Sequence, residues 1–130
     1  MSRTVECTPA TRAGRRAKAR QFLDQAEAVL ELADDAAKVA DAYVTLLVHA
    51  GIAAADVICC AALGIHAQGE NHNEAITLLA KADSRHAKDL QTLLGVKTKA
   101  GYSAIPVSNS ERTRATRAAG RLVDAAEATR

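Results

Sequence analysis

From Ala42 to Ile65 the chain runs 24 residues with Asp56 as its only carboxylate and His49 as its only histidine, and with no lysine or arginine. That length exceeds an ordinary strand. Wound as a helix, it puts Val39, Tyr43, Leu46, Ala50, Ala53, Val57 and Ala61 on one stripe. Val44, Val48, Ile52, Ala55 and Cys59 fall on the opposite one. A helix apolar on both sides has to be covered on both, by a central place in a bundle or by a partner subunit. A membrane is the other candidate cover. However, an aspartate near the middle of a span costs about 2.5–3.5 kcal/mol, and the apolarity here comes largely from Ala and Gly. A buried central helix is the expectation, with no membrane partner.

Composition agrees with that reading. Thirty residues are alanine, Phe and Tyr together number three, and there is no Trp. Sandwiches and barrels fill their faces with β-branched and aromatic residues, whereas alanine favours helices that approach closely. With two prolines and seven glycines, turns are few. The fold class expected is all-α: a five-helix up-and-down bundle with a long central second helix. A chain of 130 residues makes one domain, placed at 8–130 behind a flexible tail at 1–7.

Local signals divide the bundle. Thr8-Pro9 starts the first helix, whose stripe is Phe22, Leu23, Ala26, Val29, Leu30 and Ala33. Asp34-Asp35 breaks it and caps the second helix, which runs from about Ala36 to Leu63 and stops at Gly64. A connector follows, and then a short third helix from about Asn73 to Lys81. Ser84 is read as the cap of a fourth helix, with Gly95 at its C′ position. Val96 to Val107 reads as an irregular loop. Ser108 and Glu111 make a capping box for the last helix.

The net charge of +2 conceals segregation. Basic side chains dominate residues 1–20 and 85–121, while acidic ones dominate 21–84. Complementarity between packed helices or subunits accounts for that pattern. A phosphate-binding surface from Arg12, Arg15, Arg16, Arg20, Lys97, Lys99, Arg112, Arg114 and Arg117 is the functional alternative. Tyr102 is the single stacking aromatic among these.

Three cysteines, two of them adjacent, do not form a disulfide framework, so a reducing, cytoplasmic compartment is expected. Cys59, Cys60, His66 and His72, with Glu70 and Glu74 nearby, have zinc-ligand chemistry but no finger spacing. No metal or cofactor is expected. His49 and Asp56, seven residues apart on one stripe, span about 10 Å of helix. That is too far for an acid–base pair, so they read as polar core residues, Asp56 with an Arg or Lys partner. Asn71 to Glu74 opens the third helix, where backbone N–H groups could receive an anion, and ordinary capping explains these residues equally well.

The order of these features, His49 to Cys60 in a long second helix, His72 opening a short one, Lys97 to Ser103, then an Arg/Ala-rich last helix, resembles HEPN-type domains (higher eukaryotes and prokaryotes nucleotide-binding). The resemblance implies a dimeric helical bundle. Many such domains are metal-independent ribonucleases marked by an Arg followed four to six residues later by a His. No Arg here has that partner, and Lys81 with His86 is the nearest imitation. The chain is similar to members without that signature, which act as binding or accessory modules, sometimes beside a nucleotidyltransferase. The function expected is a non-catalytic binding module in a homodimer. Lys97, Lys99, Tyr102, Arg112 and Arg114 would bind a nucleotide, RNA or a partner protein. The alternatives are a toxin-like ribonuclease using His72 or His86, or a purely structural interaction subunit. His49, Asp56 and His72 are the candidate polar core.

Overall fold

Short capping interactions set the helix boundaries. The Thr8 hydroxyl accepts the Thr11 N–H at 3.0 Å ahead of Pro9, and Asp35 Oδ1 accepts the Ala37 N–H at 3.0 Å. Ser108 and Glu111 close the reciprocal capping box read from the sequence. Gly64 ends the second helix in the left-handed region, at φ 72°, where its lack of a Cβ removes the steric penalty.

The computed structural model describes residues 3–69 and 71–129. In order these form β1 (Thr4–Glu6), α1 (Pro9–Leu32), α2 (Ala36–Leu63), β2 (Ile65–Ala67) and α3 (His72–Ala82). One 3₁₀ turn (Ser84–His86) then leads into α4 (Ala87–Tyr102) and α5 (Asn109–Ala128). The molecule is an all-α bundle of five helices carrying one small antiparallel ribbon, β1 against β2.

α2 is the axis of the bundle, packed by α1, α4 and α5. Half of its 28 residues are buried, on both of the faces named above. Neighbours within the same chain therefore supply the cover that its apolarity demands. Among the described residues it is the one helix long and apolar enough to cross a membrane, and most of its most apolar 18-residue stretch lies inside the bundle. The alanines act as contact surfaces: Ala50, Ala53 and Ala54 of α2 and Ala115, Ala118 and Ala119 of α5 are all fully buried. At Gly51, the δ1 methyl of Leu93 occupies the space a β-carbon would need, so α2 and α4 meet at close range.

Several expectations are corrected, that of cysteines without a disulfide among them. The tail expected at 1–7 is overturned for its described part, because Thr4, Val5 and Glu6 pair with Ala67, His66 and Ile65; residues 1 and 2 lie outside the described residues. Cys7, just after them, forms a disulfide with Cys60 in the last turn of α2. A three-residue strand is too short to show alternation, and a pairing 53 residues apart leaves no local trace. The segment 96–107 is not an irregular loop either, since α4 continues to Tyr102 and Gly95 lies inside it. Val96 and Ala100 extend the buried stripe of Leu93, and this packing outweighs the helix-ending tendency of one glycine. Ser84 does not cap α4 either: Asp83 caps the 3₁₀ turn ahead of it, its carboxylate accepting the Arg85 N–H at 3.1 Å, and at the start of α4 itself His86 makes no side-chain capping bond.

Candidate functional site

Spacing on α2 builds one side of a cavity. His49, Ile52, Asp56 and Cys59 are separated by three, four and three residues, which places them on one helix stripe. Leu90, Leu94 and Lys97 do the same on α4. These two stripes face the connector and the start of α3, where Ala67, Gly69, Asn71, His72 and Ala75 close the third side. The volume of this partly open cavity is about 250 Å³. A dry cavity of about 150 Å³ already accepts benzene, so this one has room for a substituted ring.

Its walls are mostly apolar, with polar groups at separate points. Arg15 of α1 donates Nε–H to Asp56 Oδ2 at 2.8 Å. The expected cationic partner of Asp56 thus comes from another helix of the same chain. Asp56 Oδ1 lies 3.9 Å from His66 Nδ1 and makes no hydrogen bond among the described residues. Nδ1 of His66 lies 2.9 Å from the Ala67 carbonyl and donates to it. Burial pushes the Asp56 carboxyl up, against the pull of Arg15 and His66. Burial, together with the nearby Asp56 charge, pushes the Cys59 thiol up to about 12. Cys59 is therefore a protonated, apolar lining group near neutrality and not a nucleophile.

His49 differs from its expected place. It is exposed, at the rim, with its ring against Phe22 at 5.5 Å between centroids. Partial burial and the charges of Lys97 and Arg15 lower its pKa, favouring the neutral ring. Asn71 caps α3, its Oδ1 accepting the Glu74 N–H at 3.0 Å. Among the described residues, Lys97 has no hydrogen bond or ion pair and is the cation lining the cavity.

The five residues expected to form a basic ligand surface do not converge. Lys97 lines the cavity, whereas Lys99, two positions on along α4, reaches Glu111 at 2.7 Å. Two helical positions turn a side chain by about 200°. Arg112 lies beside Leu30, Tyr43 and Thr116, and Arg114 lies in a groove between α4 and α5 with Lys88 and Arg121. Tyr102 is 83% exposed at the end of α4. Several basic residues of the wider set are also engaged: Arg15 with Asp56, Arg16 with Thr129, and Arg20 with Glu127 and Asp24. This is the helix-to-helix complementarity that the charge segregation suggested.

The two histidines considered for ribonuclease chemistry sit apart. His72 lines the cavity, while His86 Nδ1 is 3.3 Å from Asp89 Oδ2. The buried Asp89 also receives Arg121 Nη2 at 2.7 Å and Nε at 3.0 Å. That cluster joins α4 to α5. The zinc candidates are likewise dispersed: Cys60 is in the disulfide, and among the described residues no three His, Cys, Asp or Glu side chains gather closely enough to hold a metal ion. Glu70 lies outside the described residues.

Sequence reasoning grouped His49, Asp56 and His72 as a polar core and assigned Lys97 to a separate basic surface. It missed Arg15 as the partner of Asp56, and Leu90 and Leu94 as cavity wall. The signal available was the spacing on α2 and α4, which puts each set on one face. Comparison with protein-family models, with curated proteins and with solved structures finds no match.

Proposed function

We propose that this chain is a non-catalytic binding module whose ligand occupies the cavity between α2, α3 and α4. The observation that carries this reading is the convergence of Asp56, His72 and Lys97, from three separate elements, on one apolar-walled space of about 250 Å³. Pockets of this kind bind compact molecules by apolar contact and orient them through a few polar groups. The Asp56 charge is already balanced by Arg15, so Lys97 sets the preference of the site. The ligand is a compact, largely apolar molecule of ring size carrying one anionic group, a carboxylate for instance, directed at Lys97. Asp56 Oδ1 remains open to accept a hydrogen bond from a donor elsewhere on that ligand.

A HEPN-type kinship, a homodimer and a cytoplasmic setting belong to the same proposal. The order of five helices around a long second one supports the first. RNA receives less support from the geometry, because the basic residues that would track a phosphate backbone point in different directions. Titration with benzoate, benzamide and benzylammonium, followed through amide shifts, tests the site. Benzoate is expected to bind tightest and to shift residues around His49, Asp56, His72 and Lys97. No binding by any of the three would remove the reading. Binding of adenosine monophosphate at Lys97 in place of benzoate would reassign the ligand to a nucleotide.

A further inference from the structure

We propose that the Cys7–Cys60 disulfide is a redox-sensitive clasp on this cavity, and that its reduction by a dithiol loosens the β2 side of the wall and weakens ligand binding. The binding half of the statement rests on the function proposed above; the loosening half stands alone.

The clasp holds an element with little else to hold it. β1 has three residues and packs mainly on β2. Beyond their ladder, the Cys7 N–H donates to the Gly64 carbonyl at 2.9 Å and the Gln68 N–H to the Arg3 carbonyl at 3.0 Å. A two-stranded ribbon of this size is marginal in water by itself. Cross-linking Cys7 to Cys60, with Cα atoms 5.6 Å apart, fixes β1 at the end of α2.

What β1 holds is the cavity wall. β2 carries His66, which faces Asp56, and Ala67, which lines the cavity. Gly69, Asn71 and His72 follow directly and line it as well. The Arg3 side chain lies near Gly69, its Cδ 3.8 Å from where a β-carbon would stand. Freeing residues 3–7 therefore removes the outer support of residues 64–69 and 71–72, while the α2 and α4 walls stay in the core.

The disulfide is approachable from its half-buried Cys7 side, Cys60 being buried. A surface pocket of about 150 Å³ is lined by Cys7, Cys60, Thr8, Pro9 and Arg12, and the Arg12 guanidinium favours approach of a thiolate. The thiolate of a dithiol bonds to Cys7 Sγ, the Cys7–Cys60 bond breaks, and Cys60 leaves as a thiolate that takes up a proton. The second thiol of the reductant then displaces Cys7 in the same way. Two electrons and two protons reach the cysteines, and the reductant leaves as a disulfide. Cys59, buried and protonated, does not compete. Disulfides are rare in a reducing compartment, and those found there are usually transient and catalytic or redox-sensing, which is the behaviour a clasp of this kind requires.

The test uses the full chain purified without reductant. Thiol titration in denaturant is expected to find one free thiol of three, and a count of three would overturn the proposal. Hydrogen exchange is then compared with and without dithiothreitol. Cys7→Ser serves as the genetic equivalent, and Cys59→Ala as a control that keeps the clasp for the exchange comparison alone, because Cys59 lines the cavity. On reduction, exchange at 3–7 and 64–72 is expected to accelerate at least about tenfold more than at 115–126 of α5. Benzoate affinity is expected to fall about tenfold with it. Equal acceleration throughout would make the disulfide a general staple and refute the clasp. Local loosening with unchanged benzoate affinity would refute the regulation and leave the cavity reading standing. Benzoate binding in neither state would count against the cavity reading, and the exchange data would then decide the clasp. If Cys7→Ser does not fold, the reduced wild type gives the same comparison.

Discussion

Arg15 Nε and Asp56 Oδ2 are 2.8 Å apart, joining α1 to the cavity-lining face of α2. Both side chains are largely removed from water, with 28% and 14% of their surface exposed. Removing one partner of such a pair leaves the other charge uncompensated. Arg15→Gln is therefore expected to destabilise the fold by about 2–3 kcal/mol at pH 7. The direction of the pH dependence follows from Asp56. Its folded pKa is raised by burial, so ionisation takes stability away as pH rises through that value. Without Arg15 the loss grows, because nothing nearby balances the carboxylate as well. Urea titrations should find the variant's deficit larger at pH 7 than at pH 4. An equal deficit at both would show that the pair acts through packing alone.

Acid should act in the opposite direction through a second set of carboxylates. Lys99 holds Glu111 at about 2, and Arg85 holds Asp83 at about 2, against unfolded values of 4.5 and 3.8. Both folded values are depressed, so their stabilisation is complete above the unfolded values and disappears as pH falls towards 2. Thermal unfolding is expected to show a falling Tm between pH 5 and pH 2. Lys99→Met should flatten part of that fall. A Tm independent of pH over this range would contradict the assignment.

Two glycines should respond in opposite ways to alanine. A β-carbon at Gly51 meets the δ1 methyl of Leu93, which is fully buried between α2 and α4. Overpacking of this kind costs about 1–3 kcal/mol. Gly95 is also helical, but it is exposed, with nothing within 4 Å of the added carbon. There alanine restricts the unfolded chain and raises helix propensity, a gain of about 0.5–1 kcal/mol. Denaturant midpoints of Gly51→Ala and Gly95→Ala should therefore move in opposite directions. A stabilised Gly51→Ala would mean that α2 and α4 are not in close contact.

Features carried by short sequence spans were legible from the chain alone. The 3.6-residue periodicity, the Thr8, Asp35 and Ser108 caps and the Gly64 stop located α1, α2 and α5 closely, because each signal lies within a few residues of what it specifies. The apolarity of α2 on both faces identified the bundle axis, although it did not show whether the cover was internal or a second copy. What escaped were pairings between distant residues. Cys7 meets Cys60, Thr4 meets Ala67, and Arg15 meets Asp56, and nothing local marks any of them. Treating Gly95 as a terminator turned the last two turns of α4 into a loop. That error made Lys97 and Lys99 look like one basic patch, when the helix sends one to the cavity and the other to Glu111.

The central claim is that Lys97 makes the α2–α3–α4 cavity a site for a compact anion. Its most direct test is an amide-shift titration of benzoate against benzamide, in the wild-type chain and in Lys97→Met. The expected result is a benzoate preference of about tenfold, equivalent to about 1.4 kcal/mol, with shifts centred on His49, Asp56, His72 and Lys97. In Lys97→Met that preference should disappear while benzamide binding persists. Equal affinity for the two ligands in the wild type, or shifts that bypass these four residues, would contradict it.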